Sequence, residues 1–177
     1  RDFCLSRGLG DVYKRQTDAR DVVGLMDLGE SAPFNPSIQS LTNNPLPANG
    51  ANNLFASLAG DPNARNPVLV NSLLLGKGLR PVDDFEKTFA RKLSTNEYYF
   101  NPQAGFLSIN TQLQADEVLA VAFQYTYNRR VFQVGEFSQD ISLDSNKGVQ
   151  KVLFLKLLKA TSQRTNLPIW SLSLIHI

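Results

Sequence analysis

The run at residues 117–127, Glu-Val-Leu-Ala-Val-Ala-Phe-Gln-Tyr-Thr-Tyr, constrains this chain more than any other. On an extended backbone Leu119, Val121, Phe123, Tyr125 and Tyr127 fall on one side, and Val118, Ala120, Ala122, Gln124 and Thr126 on the other, because successive side chains of a strand alternate. The stretch is therefore expected as a strand with one large apolar face and one small mixed face. Asn128-Arg129-Arg130 turns the chain, and residues 131–137 return as its partner with Phe132 and Val134 on one face.

Other strand signals flank this pair. Residues 97–100 are rich in Tyr and Phe, Asn101-Pro102-Gln103-Ala104-Gly105 has turn chemistry, and Phe106-Leu107-Ser108-Ile109 resumes, which predicts a hairpin. Residues 144–148 predict a turn, and residues 149–160 a further strand. For residues 82–93 the spacing of Phe85, Phe89 and Leu93 suits a helix and a strand equally. The apolar run from Val68 to Leu75, closed by Gly76-Lys77-Gly78, is equally undecided. Val22, Val23, Leu25, Met26 and Leu28 suggest a short strand that enters a long loop.

That loop, residues 31–67, carries Pro33, Pro36, Pro45, Pro47, Pro62 and Pro67 among many asparagines. Both residue types favour turns over ladders. One island interrupts it: Leu54, Phe55 and Leu58 share a helical face, with Asn52 as cap and Gly60 as stop. The expected fold class is mainly β, an antiparallel sheet concentrated after Glu97, with one or two short helices and a long Asn/Pro-rich loop.

The ends of the chain read differently. Residues 6–16 translate DNA that looks like a sequencing adapter, and the reverse complement of the codons for residues 11–16 translates to Leu-Ser-Leu-Ile-His-Ile, the run at 172–177. One oligonucleotide in opposite orientations at both ends is the mark of an untrimmed library insert, and such scars are excluded from fold reasoning. The expected organisation is then 1–16 adapter-derived, 17–67 loop-rich, 68–171 antiparallel β, and 172–177 adapter-derived. The whole chain carries a formal net charge of +2. Arg1, Arg7, Lys14 and Arg15 leave with Asp2 and Asp11, so the remainder is neutral, which removes the main support for nucleic-acid binding. The only cysteine, Cys4, and the only histidine, His176, leave too, and thiol, histidine-triad and His/Cys metal chemistry go with them. No apolar run approaches the ~20 residues of a membrane-spanning helix.

The remaining chemical candidates are weak. Gly76-Lys77-Gly78 lacks the spacing and the Ser or Thr of a phosphate loop and is expected as a turn. Asp144-Ser145-Asn146-Lys147-Gly148 resembles the start of a calcium loop, but Leu155 stands where the closing acidic ligand belongs. Asp83, Asp84 and Glu86, and Asp116 with Glu117, are carboxylate groups of the kind glycosidases use, yet adjacent strand residues face opposite ways. They are expected as solvated turn charges. Phe123, Tyr125, Tyr127 and Phe132 are expected as core packing or a lipid-facing rim rather than a ligand groove. No catalytic, cofactor-binding or metal residue is assigned, and no cofactor is expected.

Five runs carry a resemblance to a known family: Ala-Arg-Lys-Leu at 90–93, Glu-Tyr-Tyr-Phe-Asn-Pro-Gln-Ala-Gly-Phe-Leu-Ser-Ile-Asn at 97–110, Asp-Glu-Val-Leu-Ala-Val-Ala-Phe-Gln-Tyr-Thr-Tyr-Asn at 116–128, Val-Gly-Glu-Phe-Ser at 134–138, and Leu-Lys-Leu-Leu-Lys leading to Leu-Pro-Ile-Trp within 155–170. In these the chain resembles the SprA (Sov) family, giant outer-membrane proteins of gliding motility and type IX secretion. The family's turn has Asn-Gly where this chain has Asn128-Arg129. The resemblance implies an internal fragment of a non-enzymatic translocon whose wide β-barrel passes folded cargo, either barrel wall or a β-sandwich-like subdomain. It implies secreted cargo proteins and other secretion-system subunits as partners, and an outer-membrane or cell-surface location, with no nucleic acid and no small-molecule substrate. The alternative that alternation also permits is a soluble cell-surface β-sandwich that binds a glycan or a protein partner.

Overall fold

The computed structural model describes residues 11–110, 112–141 and 151–162, with the backbone alone for 11–19. In chain order the elements are β1 (Asp11–Leu25), α1 (Asn53–Ala59), a 3-10 turn (Pro62–Arg65), α2 (Val70–Gly76), β2 (Phe85–Lys92), β3 (Tyr98–Asn101), β4 (Phe106–Ile109), β5 (Leu119–Tyr127), β6 (Arg130–Val134) and β7 (Leu153–Lys159). The predicted hairpin is β3–β4, the alternating run is β5, and its return is β6. The turn expected at 144–148 lies outside the described residues.

The main sheet is five-stranded, in the order β2-β1-β7-β5-β6, and β3–β4 forms a sheet of its own. Among the described residues it closes into no barrel. It is also mixed rather than antiparallel as expected: Val22, Val23, Gly24 and Leu25 run parallel to Leu153, Phe154, Leu155 and Lys156. A parallel pair needs a crossover of a dozen residues or more, and here residues 26–152 lie between its members. Alternation within a strand carries no information about such a neighbour. Residues 82–93 resolve to the strand β2 because Phe85 to Lys92 pair with β1, whereas the run from Val70 resolves to α2.

β1 begins inside the 1–16 segment. Arg15 and Arg20 both lie opposite Ala90, so the ladder to β2 breaks over residues 16–19. Upstream of the break, Asp11 to Lys14 also pair antiparallel with Leu119 to Ala122.

Both faces of the sheet are covered where β1 meets β7. On one face Val23, Leu25, Phe85 and Phe154 pack against Leu54 and Leu58 of α1 and Val70 and Leu74 of α2. Asn52 caps α1 by accepting from the Leu54 amide, which aims those two leucines inward. Leu119 and Val121 pack against Tyr98, Leu107 and Ile109 of the β3–β4 hairpin. On the other face Val22, Ala90, Ala120, Ala122, Leu153 and Leu155 lie under Phe137 and Ile141. Leu153, Phe154, Leu155 and Leu157 are each at most 1% exposed, whereas Leu158 is 48% exposed, so β7 is buried from both sides over its first half, each large buried side chain contributing about 1.5–3 kcal/mol. The small face of β5 has a local cause. Gly135 sits at φ +77°, and a Cβ there would stand 3.0 Å from the Ala122 Cβ, so this crossing needs both glycine and alanine.

Candidate functional site

The chemistry-bearing residues concentrate where the Asn/Pro-rich loop meets the sheet, and hydrogen bonding explains why. Asp27, flanked by Met26 and Leu28, is buried. Its two carboxylate oxygens accept from the Phe34 and Asn35 amides, each at 2.9 Å. The Asn35 side chain donates onward to Asp84 Oδ2 at 2.9 Å and to the Gly78 carbonyl at 3.2 Å. The Asn52 amide donates to the carbonyls of Asp27 and Glu30, 2.8 Å each. Buried polar groups persist only when satisfied in this way, so the loop is a fixed part of the fold.

A second clasp joins the 3-10 turn to the far strands. Arg65 donates through both terminal nitrogens to the two oxygens of Glu136, each at 2.6 Å, and to the Val152 carbonyl at 3.1 Å. Glu136 also accepts from the Phe154 amide at 3.0 Å, while the guanidinium lies 4.7 Å from the centre of the Phe154 ring. The pair is bidentate and desolvated, with side chains 17% and 5% exposed, the geometry in which arginine is not replaceable by lysine.

The third contact covers part of the β6 edge. Asn49 donates its backbone amide to the Gln133 carbonyl at 2.7 Å. Its side chain accepts from the Gly135 amide at 2.8 Å and donates to the Gly135 carbonyl at 3.0 Å. Asn49 thus supplies the hydrogen bonds of a neighbouring strand. Beside it, the Tyr125 hydroxyl donates to the Pro47 carbonyl at 2.7 Å, and burial raises that hydroxyl above the ordinary tyrosine range.

The aromatic set sorts itself accordingly. Phe123, Tyr125 and Phe132 stack in sequence, with centroids 6.2 and 5.3 Å apart; Phe123 packs with the hairpin cluster, and Tyr125 is buried under the loop. Core packing thus holds for Tyr125, while Phe123, Tyr127 and Phe132 are half-buried. Gly76-Lys77-Gly78 is the turn that ends α2, with Gly78 at φ +82°. Asp116 is exposed, and Glu117 accepts from the Gln114 amide at 2.7 Å, so these two are turn charges. The calcium-like run 144–148 lies outside the described residues.

Asp84 and Glu86 depart from expectation. Both are buried rather than solvated. Asp84 Oδ2 accepts from the Asn35 side chain and from the Arg80 amide at 2.8 Å. Glu86 accepts from the Thr161 amide at 3.1 and 3.2 Å and from the Thr161 hydroxyl. The two carboxylates share no hydrogen-bond partner. Glu86 lines a cleft of ≈ 290 Å³ between α2 and β2, together with Leu75, Val82, Phe85 and Thr161; Val82 there holds φ +70°. On the surface, Arg91 and Glu97 pair across the β2–β3 connection, and this ion pair holds the Glu97 carboxyl well below the usual range and raises Arg91.

Among the described residues no cluster of three or more His, Cys, Asp or Glu side chains could hold a metal ion. No described helix is long and apolar enough to cross a membrane. No protein-family model matches the chain, and no curated protein is detectably similar to it.

Proposed function

We propose that this β-sheet domain is a non-catalytic module that acts by binding protein partners at the cell surface, as a folded subdomain rather than a stretch of membrane-spanning wall. The observation that carries this reading is the first half of β7, where Leu153 and Leu155 on one side and Phe154 on the other are buried by the chain's own elements. A wall strand alternates a lipid-facing apolar side with a polar lumen side; a run apolar and buried on both sides, as Leu153 to Leu155 is, belongs inside a packed domain. A protein partner is favoured over a glycan because Tyr125, the centre of the aromatic set, is already covered by the loop.

The runs at 97–110 and 116–128 favour a more specific form of the same reading. In it the module is an internal subdomain of a SprA (Sov)-type translocon, located at the outer membrane and apposed to secreted cargo and other secretion-system subunits. Two experiments test these statements. The purified full chain, mixed with phosphatidylethanolamine and phosphatidylglycerol vesicles, is expected to stay in the aqueous fraction on flotation; co-flotation with the vesicles overturns the subdomain reading. Sequencing the source DNA outward past Thr17 and Ser171 is expected to reveal one very long frame with alternating strands on both sides. A frame that closes within a small secreted protein removes the translocon form and leaves a stand-alone binding module.

A further inference from the structure

The β5–β6 ribbon extends beyond the rest of its sheet. β7 pairs with β5 only at Leu119, Ala120 and Val121, whereas the residues from Phe123 to Tyr127 pair with β6 alone. Tyr127 lies opposite Arg130, so Asn128 and Arg129 form a two-residue turn, with φ of 48° and 60°, the left-handed geometry that matches strand twist. In such a hairpin the closing pair is hydrogen-bonded, and the backbone groups of alternate residues point away from the partner strand. Val131 and Gln133 of β6, and Gly135 just past its end, are therefore the outward residues. Asn49 occupies Gly135 and the Gln133 carbonyl. The N–H and C=O of Val131 and the N–H of Gln133 lie beyond its reach.

No described segment covers this stretch, and the chemistry around it is distinctive. Val131 is 61% exposed. Arg129 and Arg130 are exposed, and neither forms an ion pair among the described residues. We infer that the outward edge of β6 around Val131 docks an extended, acidic segment of a partner protein, which adds to the sheet as a further strand. Backbone groups at an open edge supply the affinity in strand addition, and flanking side chains supply the selection. Here the selection is by charge. A second copy of this chain is the wrong occupant, because edge-to-edge pairing would bring two Arg129-Arg130 tips together. Asn49 sets the limit of the dock, since it already fills the position that an incoming strand would need at Gly135.

This inference names the partner chemistry of the binding module proposed above and rests on that reading. The test uses the full chain in aqueous buffer and two probes, an extended eight-residue peptide alternating Glu and Thr and its counterpart alternating Lys and Thr. The acidic peptide is expected to bind, to weaken as salt rises, and to slow amide exchange at Val131 and Gln133. Val131→Pro removes one outward donor at an edge position where proline is tolerated; it is expected to weaken binding roughly tenfold with the melting temperature retained. Arg129→Glu combined with Arg130→Glu is expected to reverse the preference toward the lysine peptide. Equal binding of both peptides, unchanged binding by a folded Val131→Pro chain, or dimerisation through this edge without peptide uptake overturns the proposal. Vesicle flotation of the same sample reports separately on the subdomain reading, so either failure is recognisable without the other.

Discussion

Replacing Glu136 by leucine removes the acceptor of three hydrogen bonds at once, two from Arg65 and one from the Phe154 amide. The guanidinium keeps the Val152 carbonyl and the Phe154 ring, but its charge is left unpaired in a largely dry site. Breaking a buried pair from one side costs about 3–5 kcal/mol. With a urea m-value of about 2 kcal/mol/M for a domain of this size, the midpoint should fall by roughly 1.5–2.5 M. Arg65→Met should cost a similar amount, since it strands Glu136 with one backbone donor. The double variant removes both charges and leaves chiefly the Phe154 N–H without an acceptor, a loss of about 1–3 kcal/mol. Urea unfolding followed by far-UV circular dichroism gives all three values, and the double variant should be at least as stable as either single one. Single variants that lose less than about 1 kcal/mol, or a double variant equal to the sum of the singles, would refute the clasp as a coupled buried pair.

The buried Tyr125 hydroxyl is raised, so it stays neutral in the folded state where the unfolded chain ionises; stability is expected to hold below about pH 10 and to fall as pH rises beyond it. Tyr125→Phe should lose about 1 kcal/mol at neutral pH and remove that alkaline decline in a pH series of melting curves. Val82→Gly should raise stability by about 0.5–1 kcal/mol in urea unfolding, because relief of a β-branched residue at φ +70° outweighs the entropy that glycine adds to the unfolded chain. Asn49→Ala should cost about 1–3 kcal/mol and accelerate hydrogen exchange of the Gly135 amide, its direct partner.

Local pattern made β5, β6, the β3–β4 hairpin and α1 legible in advance. Each depends on residues close in sequence: alternation at 119–127, turn chemistry at 101–105, and the Asn52 cap ahead of Leu54 and Leu58. The parallel partnership of β1 and β7 was not legible, because nothing in Val22–Leu25 or Leu153–Lys156 encodes which strand lies alongside. The same holds for Arg65 with Glu136, which lie 71 residues apart in sequence. Residues 85–92 and 70–76 had ambiguous periods, and tertiary pairing decided them: a neighbour in β1 made one a strand, and the sheet beneath α2 made the other a helix. The carboxylates misled for a related reason. Asp84 and Glu86 lie in a charged run that suggests solvent, yet the loop and Thr161 fold over them and satisfy their oxygens. The asparagines of residues 35–66 did carry a signal, since a side chain with both donor and acceptor can replace a backbone neighbour, as Asn49 does at Gly135.

The central claim, a domain packed on both sides of β7 without help from lipid, is tested most directly by hydrogen exchange on the full chain in detergent-free buffer. The amides of Leu153 to Lys159 are expected to be among the slowest to exchange, with those of Val22 to Leu25 alongside them. Rapid exchange throughout β7, slowed only when detergent or vesicles are added, would contradict the account and place that strand in a membrane.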